Sequence, residues 1–513
     1  MALGKRDSRY LLQYNKSTMG GIYLEEQERP LKLHFIPYPA PGHMIPLCDI
    51  ATLFTSNGHH VTIITTPSNA QILDNSIPSH RYLHLHIVHF PSHEVGLPDG
   101  VENLSAVSDM VNAARVHEAT TLLRSPIEQF VEQHPPDCIV ADFLMPWVHD
   151  VAHKLNIPRL AFNGFSLFAV CAMVNLHHST SKAAFVPNLP HPITLNATPP
   201  KLLTRFMQPL LETEQKSYGL IVNSFAELDG EEYVELYEKS TGHKAWHLGP
   251  ASLICRTSVE EKAERGQKSV VGAEQCLSWL NSKAVNSVVY ICFGSLCHFP
   301  DEQLYEIACG VEASGHQFIW VVPEKRGKEN ENENENEKEM ERWVPSGFEE
   351  RNREKGMIIK GWAPQVVILG HPAIGAFLTH CGWNSTVEAV SAGVPMITWP
   401  VHDEQFYNEK LITHLRGLGV EVGAREWTFI GFGERKRLVS RDCIDKAVRR
   451  LMDGADQSLA IRRRAKEYAT KAAKAVQQHG SSLNTFTALI HDLKRFRDRT
   501  SLHQHHFPTF PPK

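Results

Sequence analysis

The chain has 513 residues, of which 42% are hydrophobic and 21% are charged. A chain of this length exceeds what one hydrophobic core usually serves, so we expect two large domains. The formal net charge of -5 at pH 7 gives no electrostatic reason to expect a nucleic-acid partner or an anionic membrane surface.

The N-terminal residues and the cysteines bear on where the protein works. Residues 1–31 mix charges of both signs without an apolar core, which is not typical of a secretory signal. We expect a disordered extension there, and Met19 offers a second possible start. The sequence contains no run of about 18 apolar residues, so we do not expect a membrane-spanning helix. The ten cysteines include no Cys-x-x-Cys pair, which favours reduced thiols and a cytoplasmic protein, and we expect a monomer.

From residue 32 the chain alternates short apolar strands with helical patterns. A Pro-Ala-Pro-Gly turn at Pro39–Gly42 follows the first strand, and an amphipathic helix is predicted from Ile45 to Phe54. The strands predicted in this half are Leu33–Ile36, His60–Thr65, Leu83–Val88, Cys138–Ala141, Leu160–Phe162 and Leu220–Asn223. This alternation of strands and helices predicts a parallel sheet with crossover helices over residues 32–250. Such sheets bind ligands beyond the carboxyl ends of their strands.

A polar stretch without periodicity, residues 251–272, is predicted to link this half to a second strand-and-helix series over 273–494. The strands predicted there are Val288–Phe293, Gln317–Val322, Gly356–Lys360, Gly375–Thr379 and Met396–Trp399. The Glu/Asn repeat at 324–342 cannot bury apolar surface and is predicted to be a surface loop. We expect the final helices to pack back on the first domain and residues 495–513 to form a loose tail.

One segment of the second half, Trp362–Gln405, carries the clearest chemistry. An apolar strand enters the turn His380–Trp383, and a helical pattern follows it. Free backbone N–H groups and the helix dipole at such a point bind anions. The polar residues that follow are Asn384, Ser385 and Glu388 on the helix and the closing pair Glu404 and Gln405. Because acids and amides bind hydroxyls well, the segment suggests a nucleotide-sugar site.

The 44 residues of this segment resemble the signature box of the plant secondary-product UDP-glycosyltransferases. They match at the tryptophan that starts the box, at the His-Cys-Gly-Trp-Asn-Ser centre and at the closing Glu-Gln. Weaker similarity covers most of residues 32–494 and includes FIPYPAPGHMIPLCDIATLF, VNSFAELD, CLSWLNSK and VVYICFGSL. The resemblance implies the GT-B fold, an α/β architecture in which two Rossmann-like domains with parallel sheets face each other across a cleft.

The resemblance also implies roles in binding the sugar donor. The residues concerned are Trp362, Ala363 and Gln365 at the uracil, Glu388 at the ribose, Ser295, His380, Asn384 and Ser385 at the diphosphate, and Trp383, Glu404 and Gln405 at the sugar. The flat indole ring of a tryptophan can stack on a flat nucleobase, and the free N–H groups at a helix N-terminus can bind a phosphate. Taken singly, Trp362 could be a core residue and Ser385 a helix cap. Their combined spacing favours the donor site.

A histidine in the first half is the candidate catalytic base. Sugar transfer to a hydroxyl needs removal of the acceptor proton, and histidine, with a reference pKa of about 6.5, suits that step near neutral pH. His43 follows the turn after the first strand, so its side chain should face the cleft, and the resemblance implies the role of base. Asp142 would bind the other ring nitrogen and stabilise the charged imidazole, as in hydrolase triads. The alternative for Asp142 is an aspartate that merely ends a strand.

The resemblance further implies direct displacement with inversion at the anomeric carbon, a UDP-sugar co-substrate, and neither cofactor nor metal. Gln405 favours UDP-glucose, with UDP-xylose or another donor as the alternative. The predicted acceptor is a triterpenoid sapogenin or saponin, or alternatively a flavonoid or an isoflavonoid glucosylated at its 7-hydroxyl. Its pocket should be apolar and belong to the first domain. The candidate residues are Phe143, Trp147, Gly164, Phe165, Phe168 and Phe185, several of which could equally be core.

Two other classes of protein compete with this interpretation. A dinucleotide-dependent oxidoreductase would need Gly-x-Gly-x-x-Gly after the first strand, where this chain has Pro-Ala-Pro-Gly-His. A non-catalytic UDP-sugar-binding protein would not need both His43 and Asp142. The sequence therefore favours the transferase.

Overall fold

The computed structural model describes residues 29–74, 81–177, 184–254, 258–323, 343–429 and 436–504. The predicted disordered extension lies outside these residues up to position 28, as do the Glu/Asn repeat at 324–342 and the last nine residues of the predicted tail. The described strands and helices belong to one compact unit that starts at Leu31.

The first half contains short strands and helices in alternation, as predicted. In chain order these are β1 (Lys32–Ile36), α1 (Pro41–Ser56), β2 (His60–Thr65), α2 (Pro67–Asp74), β3 (Leu83–Ile87), α3 (Met110–Leu122), α4 (Arg124–Gln133), β4 (Cys138–Asp142), α5 (Trp147–Lys154), β5 (Arg159–Asn163), α6 (Leu167–His177), β6 (Phe185–Val186), β7 (Ile193–Thr194), α7 (Lys201–Glu214), β8 (Gly219–Val222), α8 (Ala226–Asp229), α9 (Glu231–Thr241) and β9 (Lys244–His247). Two short 3₁₀ helices, His93–Val95 and Leu104–Ala106, lie between β3 and α3.

Most strands of this half form one parallel sheet in the order β3-β2-β1-β4-β5-β8-β9, and β6 and β7 pair separately as an antiparallel hairpin. The interior strand β1 pairs with β2 and with β4, so that Ile36 lies opposite Ala141. The carboxyl ends of β1 and β4 therefore meet at one edge of the sheet. This pairing brings the residues that follow β1 close to Asp142.

Helix α1 begins earlier than the sequence pattern predicts. The predicted start was Ile45, whereas the helix begins at Pro41. Proline is favoured in the first turn of a helix, where its missing N–H breaks no hydrogen bond and its fixed φ is already helical. His43 therefore projects from the first turn of α1 rather than from a loop before it.

The second half repeats the alternation. Its elements are α10 (Ala251–Ile254), α11 (Val259–Ala263), α12 (Ala273–Asn281), β10 (Val288–Cys292), α13 (Asp301–Ser314), β11 (Gln317–Val322), α14 (Phe348–Asn352), β12 (Gly356–Lys360), α15 (Gln365–Leu369), β13 (Ile374–Thr379), α16 (Trp383–Ala392), β14 (Met396–Thr398), α17 (Gln405–Lys410), a π-helical turn (Leu411–Leu415), β15 (Gly419–Glu421), α18 (Arg441–Met452), α19 (Asp456–Ala475) and α20 (Ser481–Gln504). The strands form a parallel sheet in the order β12-β11-β10-β13-β14-β15. The predicted pair of parallel α/β domains is confirmed.

The last helix, α20, packs against the first sheet. The ring of Phe486 lies 5.0 Å from that of Phe54 in α1, measured between centroids. The prediction of a loose tail from residue 495 is wrong for its first ten residues, because α20 continues to Gln504. The half-buried Phe496 gives the reason, since its ring packs edge-on against Tyr218 at 5.5 Å.

Candidate active site

A cavity of about 300 Å³ opens between the carboxyl ends of the two sheets, a volume at the lower end of small-molecule sites. Its walls come from the start of α1, the loop after β5, the segment between α11 and α12, and the loops that follow β10, β12, β13 and β14. The predicted site residues among its lining are His43, Gly164, Phe165, Ser295, Trp362, Ala363, Gln365, His380, Trp383, Asn384, Ser385, Glu388, Glu404 and Gln405. The candidate base and the predicted donor box therefore face the same space.

His43 and Asp142 lie side by side at the edge of the first sheet. The Nδ1 atom of His43 is 2.8 Å from one carboxylate oxygen of Asp142, which is fully buried. The other oxygen accepts a hydrogen bond from the backbone N–H of Leu144 at 3.0 Å. A carboxylate beside Nδ1 favours the tautomer with the proton on that atom. The neutral ring then has its lone pair on Nε2, available to accept a proton in the cavity.

The surroundings of His43 raise its pKa above the ordinary value of 6.5. Burial opposes this shift, because it disfavours the charged imidazolium. The negative charge of Asp142 and its hydrogen bond to the ring outweigh burial, and Glu404 and Asp403 across the cavity add to the effect. An imidazolium formed at this position is therefore stabilised.

The N-terminus of α16 and His380 form the polar wall predicted to hold the diphosphate. Gly382 has no side chain that could cap α16. Glu404 accepts the backbone N–H of Trp383, so the next backbone N–H groups of the first turn are those that remain for an anion. His380 packs against Gly294, whose φ is +75° and where a Cβ would lie 2.6 Å from the ring. Burial lowers the pKa of His380 to about 3, so its ring is neutral. Its buried Nδ1 finds no hydrogen-bond partner among the described residues, and Ser295 lines the same wall.

The first turn of α16 also contacts the first domain. The side-chain amide of Asn384 donates to the carbonyl oxygen of Gly42, the residue before His43. The Asn384 carbonyl oxygen accepts from Asn223 at 3.4 Å. Ser385, one residue further, accepts from Gln365 at 3.0 Å. The predicted phosphate site and the candidate base are thus held next to each other.

The residues predicted to bind the nucleoside form a connected group after β12. The amide nitrogen of Gln365 donates to Glu388 Oε2 at 2.8 Å, and its carbonyl oxygen accepts from the Tyr290 hydroxyl at 3.2 Å. Trp362 and Ala363 line the cavity beside them. The buried indole N–H of Trp362 has no hydrogen-bond partner within the described part of the chain. These contacts orient Glu388 at the cavity wall.

Glu404 and Gln405, the last two residues of the predicted donor box, lie at the N-terminus of α17. The backbone N–H of Trp383 donates to Glu404 at 3.1 Å, and its indole N–H donates to the carbonyl oxygen of Asn223 at 3.0 Å. Burial raises the pKa of Glu404 to about 8, and the neighbouring charge of Asp403 adds to the shift. The side-chain oxygen of Gln405 accepts from two backbone N–H groups of the preceding loop, at 2.9 and 3.0 Å. Both side chains are therefore held in place at the cavity wall.

The predicted acceptor pocket is only partly present. Gly164 and Phe165 line the cavity beside His43. Phe143 packs against the imidazole with ring centroids 6.3 Å apart, but only 1% of its surface is exposed. These three residues lie around the candidate base.

The other three predicted acceptor residues lie away from the cavity. Trp147 is buried in a core cluster of the first domain. Phe168 is fully buried, with its ring 5.0 Å from that of Tyr233. Phe185 sits in the hairpin strand β6 and is 42% exposed. Trp147 belongs to the core, α6 directs Phe168 toward α9, and the hairpin directs Phe185 toward solvent. None of the three therefore belongs to the candidate pocket.

We expect Phe168→Ala to destabilise the protein without a specific effect on acceptor binding. Loss of a buried phenylalanine costs about 3–5 kcal/mol of unfolding free energy, measured by urea denaturation. Phe185→Ala is the matched control, since an exposed aromatic should change stability by about 0.5 kcal/mol or less. A raised KM for the acceptor in Phe168→Ala, with unchanged stability, would return Phe168 to the pocket.

The structure also reveals site residues that the sequence interpretation missed. Arg265 lies in the predicted linker and donates to both Asp49 and Glu388. Asn408 donates to Glu404 at 3.0 Å and accepts from Ser166 of the first domain at 2.9 Å. Nothing in the local sequence signals the links of Arg265 to Asp49 and Glu388 or the link of Asn408 to Ser166, because each of these joins residues that are distant along the chain.

The comparisons with known proteins identify the family. A sequence profile described as UDP-glucoronosyl and UDP-glucosyl transferase matches residues 267–444. UDP-glucosyl transferase 73CC6 of Saponaria officinalis is 48% identical over 488 residues, which cover 91% of this chain and 98% of that protein. The chain belongs to the family 1 plant UDP-glycosyltransferases.

Two further comparisons agree with this family. UDP-glucose flavonoid 3-O-glucosyltransferase 7 of Fragaria ananassa is 44% identical over 482 residues, covering 90% of this chain and 96% of that protein. The crystal structure of Glycyrrhiza uralensis UGT73P12 complexed with glycyrrhetinic acid 3-O-monoglucuronide is similar in fold, with a TM-score of 0.82 and 38% identity. That alignment covers 93% of this chain and 98% of the other. The predicted GT-B fold is confirmed.

As a member of this family, the protein is an enzyme that transfers a sugar from a UDP-sugar to plant secondary metabolites. The UDP-sugar is a co-substrate, and the family needs no metal. Within the described ranges, no group of three or more His, Cys, Asp or Glu side chains could hold a metal ion. None of the described helices is long and apolar enough to cross a membrane.

Proposed function

We propose that the enzyme is an inverting UDP-glucose-dependent O-glucosyltransferase whose acceptor is a triterpenoid sapogenin or saponin. The observation that carries the transferase mechanism is the His43–Asp142 pair, with 2.8 Å between Nδ1 and the carboxylate, in the cavity that the donor box also lines. A protein that only bound UDP-sugars would not need this pair.

The proposed reaction is a single displacement. Nε2 of His43 takes the proton from the acceptor hydroxyl, and the oxygen attacks the anomeric carbon of glucose. The bond between that carbon and the β-phosphate oxygen breaks, and UDP leaves with the electron pair. Attack opposite the leaving group converts an α-linked donor into a β-glucoside. Asp142 stabilises the imidazolium that forms.

The leaving diphosphate needs its negative charge compensated by the protein. We assign this to the N-terminus of α16, to the N–H of His380 and to the side chains of Ser295, Asn384 and Ser385. A helix N-terminus and fixed hydrogen-bond donors stabilise an anion in a site with little water. Burial lowers the pKa of His380 to about 3, so the ring is neutral and has one N–H with which to donate a hydrogen bond.

The other end of the donor would lie along the rest of the box. We assign Trp362 to stack on the uracil, with Ala363 and Gln365 at its edge, and Glu388 to the ribose hydroxyls. Trp383, Glu404 and Gln405 would contact the hexose. Gln405 supports glucose as the sugar, following the family resemblance, and UDP-xylose is the alternative.

Two observations bear on the acceptor. The triterpenoid proposal is supported by the fold similarity to UGT73P12, which was crystallised with glycyrrhetinic acid 3-O-monoglucuronide. The Fragaria relative is named as a flavonoid 3-O-glucosyltransferase, which keeps a flavonoid or isoflavonoid as the second candidate. We also propose that the enzyme works as a cytoplasmic monomer, which stays a prediction from the sequence.

Product analysis by mass spectrometry tests the proposal. The purified full chain is incubated with UDP-glucose, UDP-xylose or UDP-glucuronate, each with a triterpene and an isoflavone panel. We expect a mass gain of one hexose on a triterpene with UDP-glucose. A gain on isoflavones alone would favour the second candidate. Absence of transfer with every pair, while UDP binds, would support a binding protein instead.

The pH dependence of kcat/KM should show an acidic limb set by His43. The base must be neutral, so activity falls as pH drops below its pKa. Since Asp142 raises this pKa above 6.5 despite burial, the limb should lie above 6.5 rather than at or below it. A profile measured from pH 5 to 9 at subsaturating acceptor checks this. A rate that stays flat down to pH 5 would contradict histidine as the base.

A further inference from the structure

The segment between α11 and α12 crosses the cavity at the end predicted to hold the nucleoside. We call residues 264–270, which follow the end of α11 at Ala263, the strap. Arg265 and Gln267 of the strap line the cavity, and Gln267 donates to the Ser105 hydroxyl of the first domain at 3.2 Å. On the other side, Ser269 donates to the backbone carbonyl of Trp362 at 2.7 Å. The strap therefore spans from one domain to the other.

Arg265 is the central contact of the strap. Its Nε donates to Asp49 of α1 at 2.9 Å, and its Nη1 donates to Glu388 Oε1 of α16. The three side chains are 8%, 1% and 6% exposed, respectively. A guanidinium between two carboxylates, shielded from water, is a strong charge-assisted contact. Burial opposes the charged guanidinium, but the two carboxylates outweigh burial and raise the pKa of Arg265.

The backbone beside Arg265 covers the predicted base platform. Gly266 is buried with a φ of +93°, and a Cβ on it would lie 2.9 Å from Cε2 of Trp362 and 3.1 Å from Ile45. The strap thus packs between the indole and α1 without room for a methyl group. Arg265 donates to one carboxylate oxygen of Glu388 and Gln365 donates to the other, so both oxygens that could accept ribose hydroxyls already have a donor in this structure.

We propose that Arg265 is a latch on the nucleoside end of the cavity, which must release Glu388 before the ribose of the UDP-sugar can bind. The proposal rests on the proposed function, since it takes Trp362 and Glu388 as the base and ribose contacts. The ribose hydroxyls replace the guanidinium as donors to Glu388, and the strap moves off the indole. The apparent affinity for the donor is then the intrinsic affinity multiplied by the fraction of molecules in which the strap is open.

Titration calorimetry of the full chain with UDP tests the latch. Arg265→Ala removes the competing donor, so we expect UDP to bind about three- to tenfold more tightly than to the wild type. Asp49→Asn weakens only the anchor in α1 and should tighten binding by about twofold. This second variant keeps the test valid if Arg265→Ala, which leaves two buried carboxylates unpaired, fails to fold.

Arg416→Ala is the matched control. Arg416 also joins the domains, through hydrogen bonds of 2.7 Å to the backbone carbonyls of Leu228 and Asp229, but it does not line the cavity. Its loss should leave the affinity for UDP unchanged. Equal tightening in Arg416→Ala would assign the gain to a loosened interface and overturn the latch.

The remaining outcomes separate the latch from the function on which it rests. Unchanged or weaker binding of UDP by folded Arg265→Ala, with Asp49→Asn giving no gain, overturns the latch and leaves the donor site in place. A wild-type protein that does not bind UDP at all overturns both the latch and the proposed function.

Discussion

Replacement of His43 by alanine is expected to slow sugar transfer by at least about a hundredfold while the protein still binds UDP. The imidazole is the group that faces the cavity with its far nitrogen held by Asp142 at 2.8 Å. A general base contributes about a hundredfold to ten-thousandfold to a rate, so kcat should fall by that range. Transfer is measured by the appearance of the glucoside, and binding by calorimetry with UDP.

A second histidine of the same domain supplies the control for this variant. His117 lies near the site, with its Nδ1 atom 3.3 Å from the hydroxyl oxygen of Tyr38, but it does not line the cavity. His117→Ala should keep most of the activity. Wild-type turnover in His43→Ala would refute the proposed base, whereas loss of UDP binding in that variant would point to a role in holding the donor.

The second large effect is expected for Asp142→Asn. The asparagine can donate its amide hydrogen to Nδ1, which moves the ring proton to Nε2 and removes the lone pair that accepts the substrate proton. We expect kcat to drop at least about a hundredfold, with little change in the KM for UDP-glucose. The acidic limb of the pH profile should also move to lower pH, because the carboxylate no longer raises the pKa of His43.

Asp137→Asn separates this effect from a structural one. Asp137 lies just before the same strand, where its carboxylate accepts the backbone N–H of Lys32 at 2.8 Å, far from the cavity. It should lose stability rather than turnover. A pH limb that stays in place in Asp142→Asn would show that Asp142 does not act through His43.

The donor box could be predicted from the sequence because its chemistry is contiguous. Trp362 to Gln405 forms a strand, a turn and a helix in succession, and local rules decide where each begins. The structure places both ends of the box on one cavity. The His43–Asp142 contact could also be anticipated, since each residue follows a strand of the same parallel sheet.

Several of the predicted acceptor residues do not line the cavity, and the reason is physical. Phenylalanine serves equally in a core and in an apolar pocket, and composition does not tell the two apart. Phe165 and Phe168 are three positions apart, yet one faces the cavity and the other packs on Tyr233. The direction in which α6 leaves the sheet decides between them, and that direction depends on packing.

The sequence by itself determined the family and the two parallel sheets, and it predicted the donor box and the candidate base, because these depend on short-range pattern and on strand order. Only the tertiary structure decided which aromatic residues reach the cavity and what crosses it. Arg265 is the clearest case, since its two partners lie 216 and 123 residues away along the chain. From the sequence, a charged residue in a polar linker is expected to be solvated. In the fold, Arg265 lies between two buried carboxylates.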